Sequence, residues 1–158
     1  MALNRRVILF LATGFGLGKM PVAPGTFGTL AGLPFIFLMD NLGSWSGQGG
    51  QCFFLVCFFL VSIVLADWAE KILGLDDPGC IVVDEMVGYC IAVCLVPITP
   101  MTLLAGFAAF RCFDILKPMP VRYFEKNFSG GAGVVLDDIM AGVLAAPLVK
   151  MVYLSGVL

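Results

Sequence analysis

The stretch DEMVGYCIAVCLVPITPMTLLAGFAAFRCFDILK, residues 84–117, decides how this chain folds. Between its charged ends lies an uncharged run that is interrupted by Pro97 and Pro100. Prolines this close together suit a turn better than the interior of a helix. Each uncharged arm is only about 15 Å long at the helical rise per residue, which is short for a bilayer core of roughly 30 Å. We therefore predict a short helical hairpin, over about residues 84–96 and 101–117, with both ends on one face.

The composition of the 158 residues is that of a membrane protein. Hydrophobic residues make up 60% of the chain and charged residues 13%, and the mean hydropathy is +1.02. A soluble domain of this size needs about a quarter of its residues charged. With 9 basic and 11 acidic residues, the chain also lacks the basic excess of a nucleic-acid-binding protein. The length fits a single domain over residues 1–158.

Long uncharged runs mark the candidate membrane segments. They cover residues 20–39, 41–66, 86–110 and 139–149. In the first run we expect a short helix from about Thr29, because a Gly- and Pro-rich loop precedes it. The second run contains a Gly- and Ser-rich stretch at residues 43–50, where we predict a turn, followed by a strongly apolar helix over about 51–66.

The charges indicate the orientation of this bundle. With the hairpin dipping into the bilayer, eight of the nine basic residues lie on one face, and Lys150 lies towards the other. The eight are Arg5, Arg6, Lys19, Lys71, Arg111, Lys117, Arg122 and Lys126. The positive-inside rule makes this face cytoplasmic. The predicted fold class is all-α, a multi-helix membrane bundle with a short helical hairpin and an active site at the cytoplasmic face.

Two similar segments each carry a pair of acids. IVVDEMVG contains Asp84 and Glu85, and VVLDDIMAG contains Asp137 and Asp138. We expect each pair to begin a helix, where acids stabilise the positive end of the helix dipole. A small residue about one turn later would let a neighbouring helix approach closely. Helix capping could explain one such pair, but two pairs in a chain so poor in charge favour a functional site.

Four carboxylates without histidine predict an all-oxygen metal site. The chain has no histidine, and its six cysteines form no C-x-x-C pair, which argues against imidazole chemistry and a zinc site. Carboxylates, water and substrate phosphate are the ligands that suit Mg²⁺. We therefore predict Mg²⁺ as the cofactor, held by Asp84, Glu85, Asp137 and Asp138.

Basic residues near the hairpin's end suit a phosphate ligand. In FRCFDILKPMPVR, a spacing of three places Arg111, Asp114 and Lys117 on one helix face. A guanidinium can hold two phosphate oxygens, and a lysine adds a point charge. The alternative for Arg111 and Asp114 is an ion pair within the helix.

The Gly-rich segment GFGLGKMPVAPGTFGTLAGLP, residues 14–34, matches neither a P-loop nor a dinucleotide-binding fingerprint. Its glycines and threonines, including Gly25 and Thr26, can still present backbone N–H groups and hydroxyls to an anion at a helix N-terminus. A tight turn near the membrane interface is the alternative.

Four of these segments together resemble the successive motifs of the phosphatidylglycerophosphatase A family. They are GFGLGKMPVAPGTFGTLAGLP, DPGCIVVDEMVG, FRCFDILKPMPVRYFE and GGAGVVLDDIMAG, in that order over residues 13–142. The resemblance implies a Mg²⁺-dependent phosphatase of the bacterial cytoplasmic membrane that converts phosphatidylglycerophosphate into phosphatidylglycerol and phosphate. The family's motif positions fall on Asp84, Glu85, Arg111, Asp114, Lys117, Asp137 and Asp138. Residues 40–66 and the termini match poorly.

The mechanism we expect is in-line attack of water on the terminal phosphomonoester, assisted by Mg²⁺. The catalytic candidates are Asp84, Glu85, Arg111, Asp114, Asp137 and Asp138, and the substrate-binding candidates are Lys117, Arg111, Thr26 and Gly25. Arg111 and Lys117 would neutralise the phosphoryl oxygens, and Asp114 or Asp138 would accept the proton of water.

Two other functions fit part of the pattern. One is another lipid head-group enzyme, such as a CDP-alcohol phosphotransferase, although the D-G-x2-A-R motif is absent. The other is a non-enzymatic cation pathway, whose acids should be spread through the bilayer depth. The expected partners are the phospholipid substrate and the bilayer, without nucleic acid, and the oligomeric state is left open.

Overall fold

The computed structural model describes residues 4–123 and 130–157. Within these residues the fold is helical and contains no strand, which confirms the predicted all-α class. The helices are α1 Arg5–Ala12, α2 Pro24–Ala31, α3 Leu33–Leu73, α4 Val83–Val93, α5 Pro100–Leu116 and α6 Gly130–Leu154, with a short 3-10 turn at Leu17–Lys19. Lys126, one of the basic residues placed on the cytoplasmic face, lies outside the described residues.

The helix α3 folds back on itself at Gly47. This glycine has φ 67° and ψ −162°, which is not helical. The rings of Phe35 and Phe58, one in each arm, stack with their centroids 4.7 Å apart, whereas a straight helix would separate them by about 35 Å. A Cβ on Gly43 would meet the side chain of Gln51, so the two arms also approach each other close to the bend. The turn predicted over residues 43–50 is confirmed.

Judged by length and composition alone, two stretches are long and apolar enough to cross a membrane. They are Pro24–Leu73, which contains α2 and both arms of α3, and Gly130–Leu154, which is α6. Large apolar side chains stand on the outer surface of α3, with Phe53 71% exposed and Trp45 91% exposed. Such a surface is favourable in lipid and unfavourable in water.

The predicted hairpin of residues 84–117 is present as α4 and α5. The hydroxyl of Tyr89 in α4 donates a hydrogen bond of 2.8 Å to the carbonyl of Leu103 in α5. Thr99 and Thr102 form a reciprocal capping box that begins α5. The helices stop on either side of the proline-containing turn, because Pro97 cannot continue α4 and Pro100 suits the first position of α5.

The helices α4 and α6 cross at two glycines. A Cβ on Gly142 would lie 2.4 Å from the carbonyl oxygen of Gly88, so the two main chains are in direct contact. A Cβ on Gly88 would in turn lie 2.5 Å from the ring of Phe110 in α5. The close approach expected from the small residues after each acid pair is confirmed, and it brings α4, α5 and α6 together.

The structure corrects two predicted helix starts. The first helix of the Gly-rich segment begins at Pro24 rather than near Thr29, because proline is favourable in the first turn. The last helix begins at Gly130, so Asp137 and Asp138 lie in its interior rather than at its start. Gly131 packs directly on the main chain of Asp67 in α3, and this packing outweighs the low helix propensity of glycine. Stabilisation by the helix dipole therefore does not explain the second acid pair.

Candidate active site

The first turn of α4 carries Asp84 and Glu85, and the preceding loop fixes where that turn begins. The buried side chain of Glu70 accepts a hydrogen bond of 2.7 Å from the backbone N–H of Asp77. The backbone N–H of Val82 donates a bond of 2.9 Å to the carbonyl of Ala12 in α1. Glu70 therefore anchors the loop that leads to α4; the sequence did not single it out, because only its place near the end of an apolar helix distinguishes it.

Three carboxylates form the centre of the site. Asp84 and Glu85 of α4 and Asp138 of α6 each offer an oxygen atom, and these atoms lie within 4.8 Å of one another. Asp84 is 7% exposed and Asp138 is 4% exposed. The Oε2 atom of Glu85 is buried without a hydrogen-bond partner among the described residues. Buried carboxylates are costly unless a cation compensates them, and an all-oxygen group of this kind fits Mg²⁺.

Asp84 and Glu85 of α4 cannot easily both be ionised; α4 lies outside the two stretches that are long and apolar enough to cross a membrane. Burial raises the pKa of Glu85 to about 8; the hydrogen bond with Asp84 lowers it, while the charges of Asp138 and Asp114 raise it. Burial, and next the charge of Glu85, raises the pKa of Asp84 well above its ordinary value. A divalent cation among these groups would favour their ionised forms.

Arg111 of α5 forms one wall of the site. Its Nη1 atom donates a hydrogen bond of 2.5 Å to Oδ2 of Asp114, so the ion pair considered as an alternative is present. Its Nε atom is buried without a partner in the described part of the chain. A Cβ on Gly25, at the start of α2, would lie 3.0 Å from both terminal nitrogens of Arg111. Because Gly25 has no side chain, the backbone of α2 can lie directly against the guanidinium.

The second basic group, Lys117, is held by Asp137. Lys117 ends α5 in the left-handed conformation, with φ 43°. Its Nζ atom lies 2.9 Å from Oδ2 of Asp137 in α6. The four predicted metal ligands therefore divide into two groups: three of them face one another, and Asp137 pairs with the lysine instead. Asp114 of α5 belongs to the site through its ion pair with Arg111.

The structure thus brings together side chains that are up to 54 positions apart in sequence, from Asp84 to Asp138. Gly25 of α2 lies against two of these side chains, Glu85 and Arg111. Thr26 lies next to Gly25 along that helix, half-buried, and its backbone N–H donates a bond of 3.0 Å to the carbonyl of Ala23. A buried group of carboxylates beside an arginine and a lysine can hold a cation and a phosphate side by side.

Comparison with known proteins identifies relatives along nearly the whole chain. The family model described as Phosphatidylglycerophosphatase A matches residues 10–153. The chain is 38% identical to Phosphatidylglycerophosphatase A of Escherichia coli strain K12, over 90% of this chain and 81% of that protein. It is 40% identical to the protein of the same name from Haemophilus influenzae, over 90% of this chain and 86% of that protein.

A third relative carries a different name. It is a Bacteroides thetaiotaomicron protein, provisionally named phosphatidylinositol-3-phosphatase, which is 41% identical over 90% of this chain and 91% of its own length. No solved structure matches the chain.

Proposed function

The chain belongs to the phosphatidylglycerophosphatase A family, and we propose that it hydrolyses phosphatidylglycerophosphate to phosphatidylglycerol and inorganic phosphate with the help of Mg²⁺. The reaction class, phosphoric monoester hydrolysis, is that of its named relatives. One observation supports the proposal most strongly: the buried carboxylates of Asp84, Glu85 and Asp138 lie within 4.8 Å of one another, next to the guanidinium of Arg111.

These three carboxylates are the proposed metal ligands. The unpartnered Oε2 atom of Glu85 and the absence of histidine from the chain favour a hard cation bound by oxygen. When bound, Mg²⁺ would balance the buried negative charge and polarise the phosphoryl group. Asp137 was predicted as a fourth ligand, but its bond to Lys117 favours a role in holding the lysine.

Arg111 and Lys117 are the proposed phosphate-binding groups. Asp114 holds one terminal nitrogen of Arg111, which fixes the plane of the guanidinium, and Asp137 fixes the end of Lys117. Two positive groups oriented in this way neutralise the phosphoryl oxygens as charge spreads over them in the transition state. Orientation before the substrate arrives is important, because it removes the need to reorganise the site during the reaction.

The chemical step is a displacement at phosphorus. The oxygen of water forms the new bond to phosphorus, and the bond from phosphorus to the glycerol oxygen of the substrate breaks. One proton of water passes to a carboxylate, and the carboxyl group formed in this way returns a proton, directly or through water, to the departing glycerol oxygen, which becomes the hydroxyl of phosphatidylglycerol. Asp114 is the proposed proton acceptor, because it lies outside the three-carboxylate group proposed to hold the metal and is paired with Arg111, a proposed phosphate-binding group.

The proposed location is the bacterial inner membrane, with several membrane passes and the site facing the cytoplasm. The two long apolar stretches support insertion into a membrane, and the basic residues of the described chain support the orientation. The reaction would then form phosphatidylglycerol during phospholipid biosynthesis.

The decisive experiment measures phosphate release by the purified protein in detergent micelles. Phosphatidylglycerophosphate should be hydrolysed in the presence of Mg²⁺, and EDTA should stop the reaction until Mg²⁺ is restored. Phosphatidylinositol 3-phosphate is the competing substrate to include, given the name of the Bacteroides relative. Equal turnover with and without chelator would contradict the metal assignment, and preference for the inositol lipid would contradict the substrate.

The geometry disfavours a cation pathway. Such a pathway needs polar groups at successive depths, but the acids of α4, α5 and α6 meet in one cluster. One turn further along, the main chains of α4 and α6 are in direct contact at Gly88 and Gly142, which leaves no space for an ion between the two helices at that point.

A further inference from the structure

Glu70 lies in the last turn of α3 and is a buried acid outside the three-carboxylate group. It is 7% exposed, and burying a carboxyl group is costly unless polar partners compensate it. Its Oε1 atom accepts the hydrogen bond from the N–H of Asp77, and its main-chain carbonyl accepts a bond of 2.8 Å from the N–H of Gly74. Both donors belong to residues 74–82, the connecting loop between α3 and α4. Glu70 therefore holds the connecting loop to α3 at two points.

The backbone of Asp77 has a conformation that requires support. Its φ is 44°, in the left-handed region that residues other than glycine rarely adopt. Such a conformation persists where the surrounding contacts determine it, and the hydrogen bond to Glu70 is one of these contacts. At its other end, the connecting loop is held by the bond from Val82 to Ala12 of α1. Glu70 thus fixes the beginning of the loop, and α1 fixes its end.

The same turn of α3 supports the start of α6. A Cβ on Gly131 would lie 2.4 Å from the main-chain nitrogen of Asp67. A Cβ on Gly130 would lie 3.6 Å from Oδ1 of Asp67 and 4.0 Å from Oε2 of Glu70. One oxygen of the Glu70 carboxyl group therefore faces the first residue of α6, while the other holds the connecting loop. The turn of α3 around Glu70 is a junction of the segments that lead to both acid pairs.

On α4 and on α6, the acids lie between two contacts. The junction precedes them, since Asp84 follows Asp77 by seven positions and Asp138 follows Gly131 by seven positions. The contact between the main chains at Gly88 and Gly142 follows them by one turn. A shift of the connecting loop at the junction would therefore tilt or slide the first turn of α4 against α6, with the glycine contact as the fixed point.

We propose that Glu70 is a positioning residue for the three-carboxylate group. By holding the connecting loop to the turn of α3 on which α6 begins, it aligns Asp84 and Glu85 with Asp138. The affinity of the group for a divalent cation depends on this alignment, as it does for other groups that orient metal ligands from outside. The inference rests on the proposed function, because it takes these carboxylates as the metal ligands. The alternative is that Glu70 only stabilises the fold, in which case metal affinity does not depend on it.

The test uses two substitutions of Glu70 that are nearly equal in size. Glu70→Gln keeps an oxygen that can accept the N–H of Asp77, whereas Glu70→Met has a similar length but offers only a weakly accepting sulfur. Lys71→Met is the matched control at the next position. The Lys71 side chain is 70% exposed and pairs with Asp67, so this variant removes a charge from the same helix end and leaves the bond to the connecting loop in place.

Three properties of each purified variant in detergent are measured without turnover. They are the affinity for Mn²⁺ by electron paramagnetic resonance, the alkylation rate of Cys80 as the single cysteine, and the unfolding midpoint. Cys80 is the native reporter of the connecting loop, in which it is half-buried. The values of kcat and KM for phosphatidylglycerophosphate are measured alongside.

For Glu70→Met we expect the Mn²⁺ affinity to fall about tenfold, the lower end of the range for residues that support metal ligands. Cys80 should be alkylated about tenfold faster, because a loop that has lost a hydrogen bond to a carboxylate opens more often. The value of kcat should fall while KM changes little, since the misplaced groups act on the reacting phosphate. Glu70→Gln and Lys71→Met should stay close to wild type in all of these properties.

Wild-type Mn²⁺ affinity in Glu70→Met, whatever the alkylation rate of Cys80, would overturn the inference. An equal loss of affinity in Glu70→Gln or in Lys71→Met would overturn it as well, because the hydrogen bond to Asp77 would then not be the cause. If Glu70→Met does not fold, Glu70→Asp, which is too short to reach the N–H of Asp77, takes its place with the same expected result. If the wild-type protein hydrolyses no phosphatidylglycerophosphate, the proposed function fails, and the Mn²⁺ and Cys80 measurements still decide the role of Glu70.

Discussion

A methyl group on Gly25 would lie 2.6 Å from Oε1 of Glu85, so the start of α2 closes directly over the acid pair of α4. The atoms that the methyl group would meet are the ends of the Glu85 and Arg111 side chains, which can move without unfolding the helices. Gly25→Ala should therefore lower kcat by about 100-fold, the scale expected for misplaced catalytic groups, while thermal unfolding in detergent stays close to wild type. Gly49→Ala, whose Cβ meets nothing within 4 Å, is the control. A fully active Gly25→Ala enzyme would show that α2 is not part of the site.

Asp137 and Asp138 are neighbours in sequence but should differ in their effect on metal binding. Asp138→Asn removes one of the three clustered carboxylates and should weaken metal affinity at least about tenfold. Asp137→Asn should leave it nearly unchanged, because Asp137 is engaged with Lys117. Mn²⁺ binding followed by electron paramagnetic resonance measures this without requiring turnover. Equal weakening by the two substitutions would return Asp137 to the ligand set.

The pair formed by Lys117 and Asp137 should be energetically coupled in catalysis. Lys117→Ala should lower kcat/KM strongly, and it should lower it less when Asp137→Asn is already present, because the lysine is then no longer oriented. A double-mutant cycle should give a coupling free energy of about 1–2 kcal/mol, within the range for residues in contact. Additive effects would mean that the two residues act independently despite the 2.9 Å separation.

The crossing of α4 and α6 should tolerate no side chain at Gly142. Gly142→Ala would place a Cβ 2.4 Å from the carbonyl oxygen of Gly88, and main-chain atoms cannot move aside as a flexible side chain does. The free energy of unfolding should fall by about 1–3 kcal/mol, as for other overpacked interiors. Gly49→Ala provides the same substitution at an unobstructed position. Comparable unfolding midpoints for the two variants would contradict the packing.

The orientation in the membrane can be tested with single cysteines. In a background without the six native cysteines, Gly79→Cys places a thiol in the loop that leads to α4, and Gly49→Cys places one near the bend of α3. Both glycines have open space around them. In sealed inverted vesicles an impermeant maleimide should label position 79, and label position 49 only after the membrane is opened. Labelling of both positions from one side would contradict the proposed topology.

The bends of this fold were predictable because they depend on residues close together in sequence. Pro97 and Pro100 disfavour helix wherever they occur, and the glycines around Gly47 weaken a helix in the same local way. The start of α6 was not predictable, because glycine disfavours a helix locally and the close packing of Gly131 on α3 joins residues far apart in sequence.

The members of the site were visible in the sequence, but their pairing was not. From the sequence alone, the four acids of the two similar segments could not be divided into three that cluster and one that pairs with Lys117. That division depends on the rotation of α6 relative to α4 and α5, which the crossing of the helices sets. The role of Glu70 depends likewise on tertiary structure. The chain turns back after α3, so that the N–H of Asp77, seven positions later, donates a hydrogen bond to the Glu70 side chain.

Gly88 follows Asp84, and Gly142 follows Asp138, by four positions in each case, so the contact between the two main chains lies one helical turn from the acids on both helices. The spacing of the carboxylates therefore depends on the direct contact between the two helix backbones rather than on the apolar side chains of the outer surface. Those side chains can be exchanged for others of similar volume with little effect on the site. A protein built in this way can adapt its outer surface to membranes of different lipid composition while the chemistry of its interior is preserved.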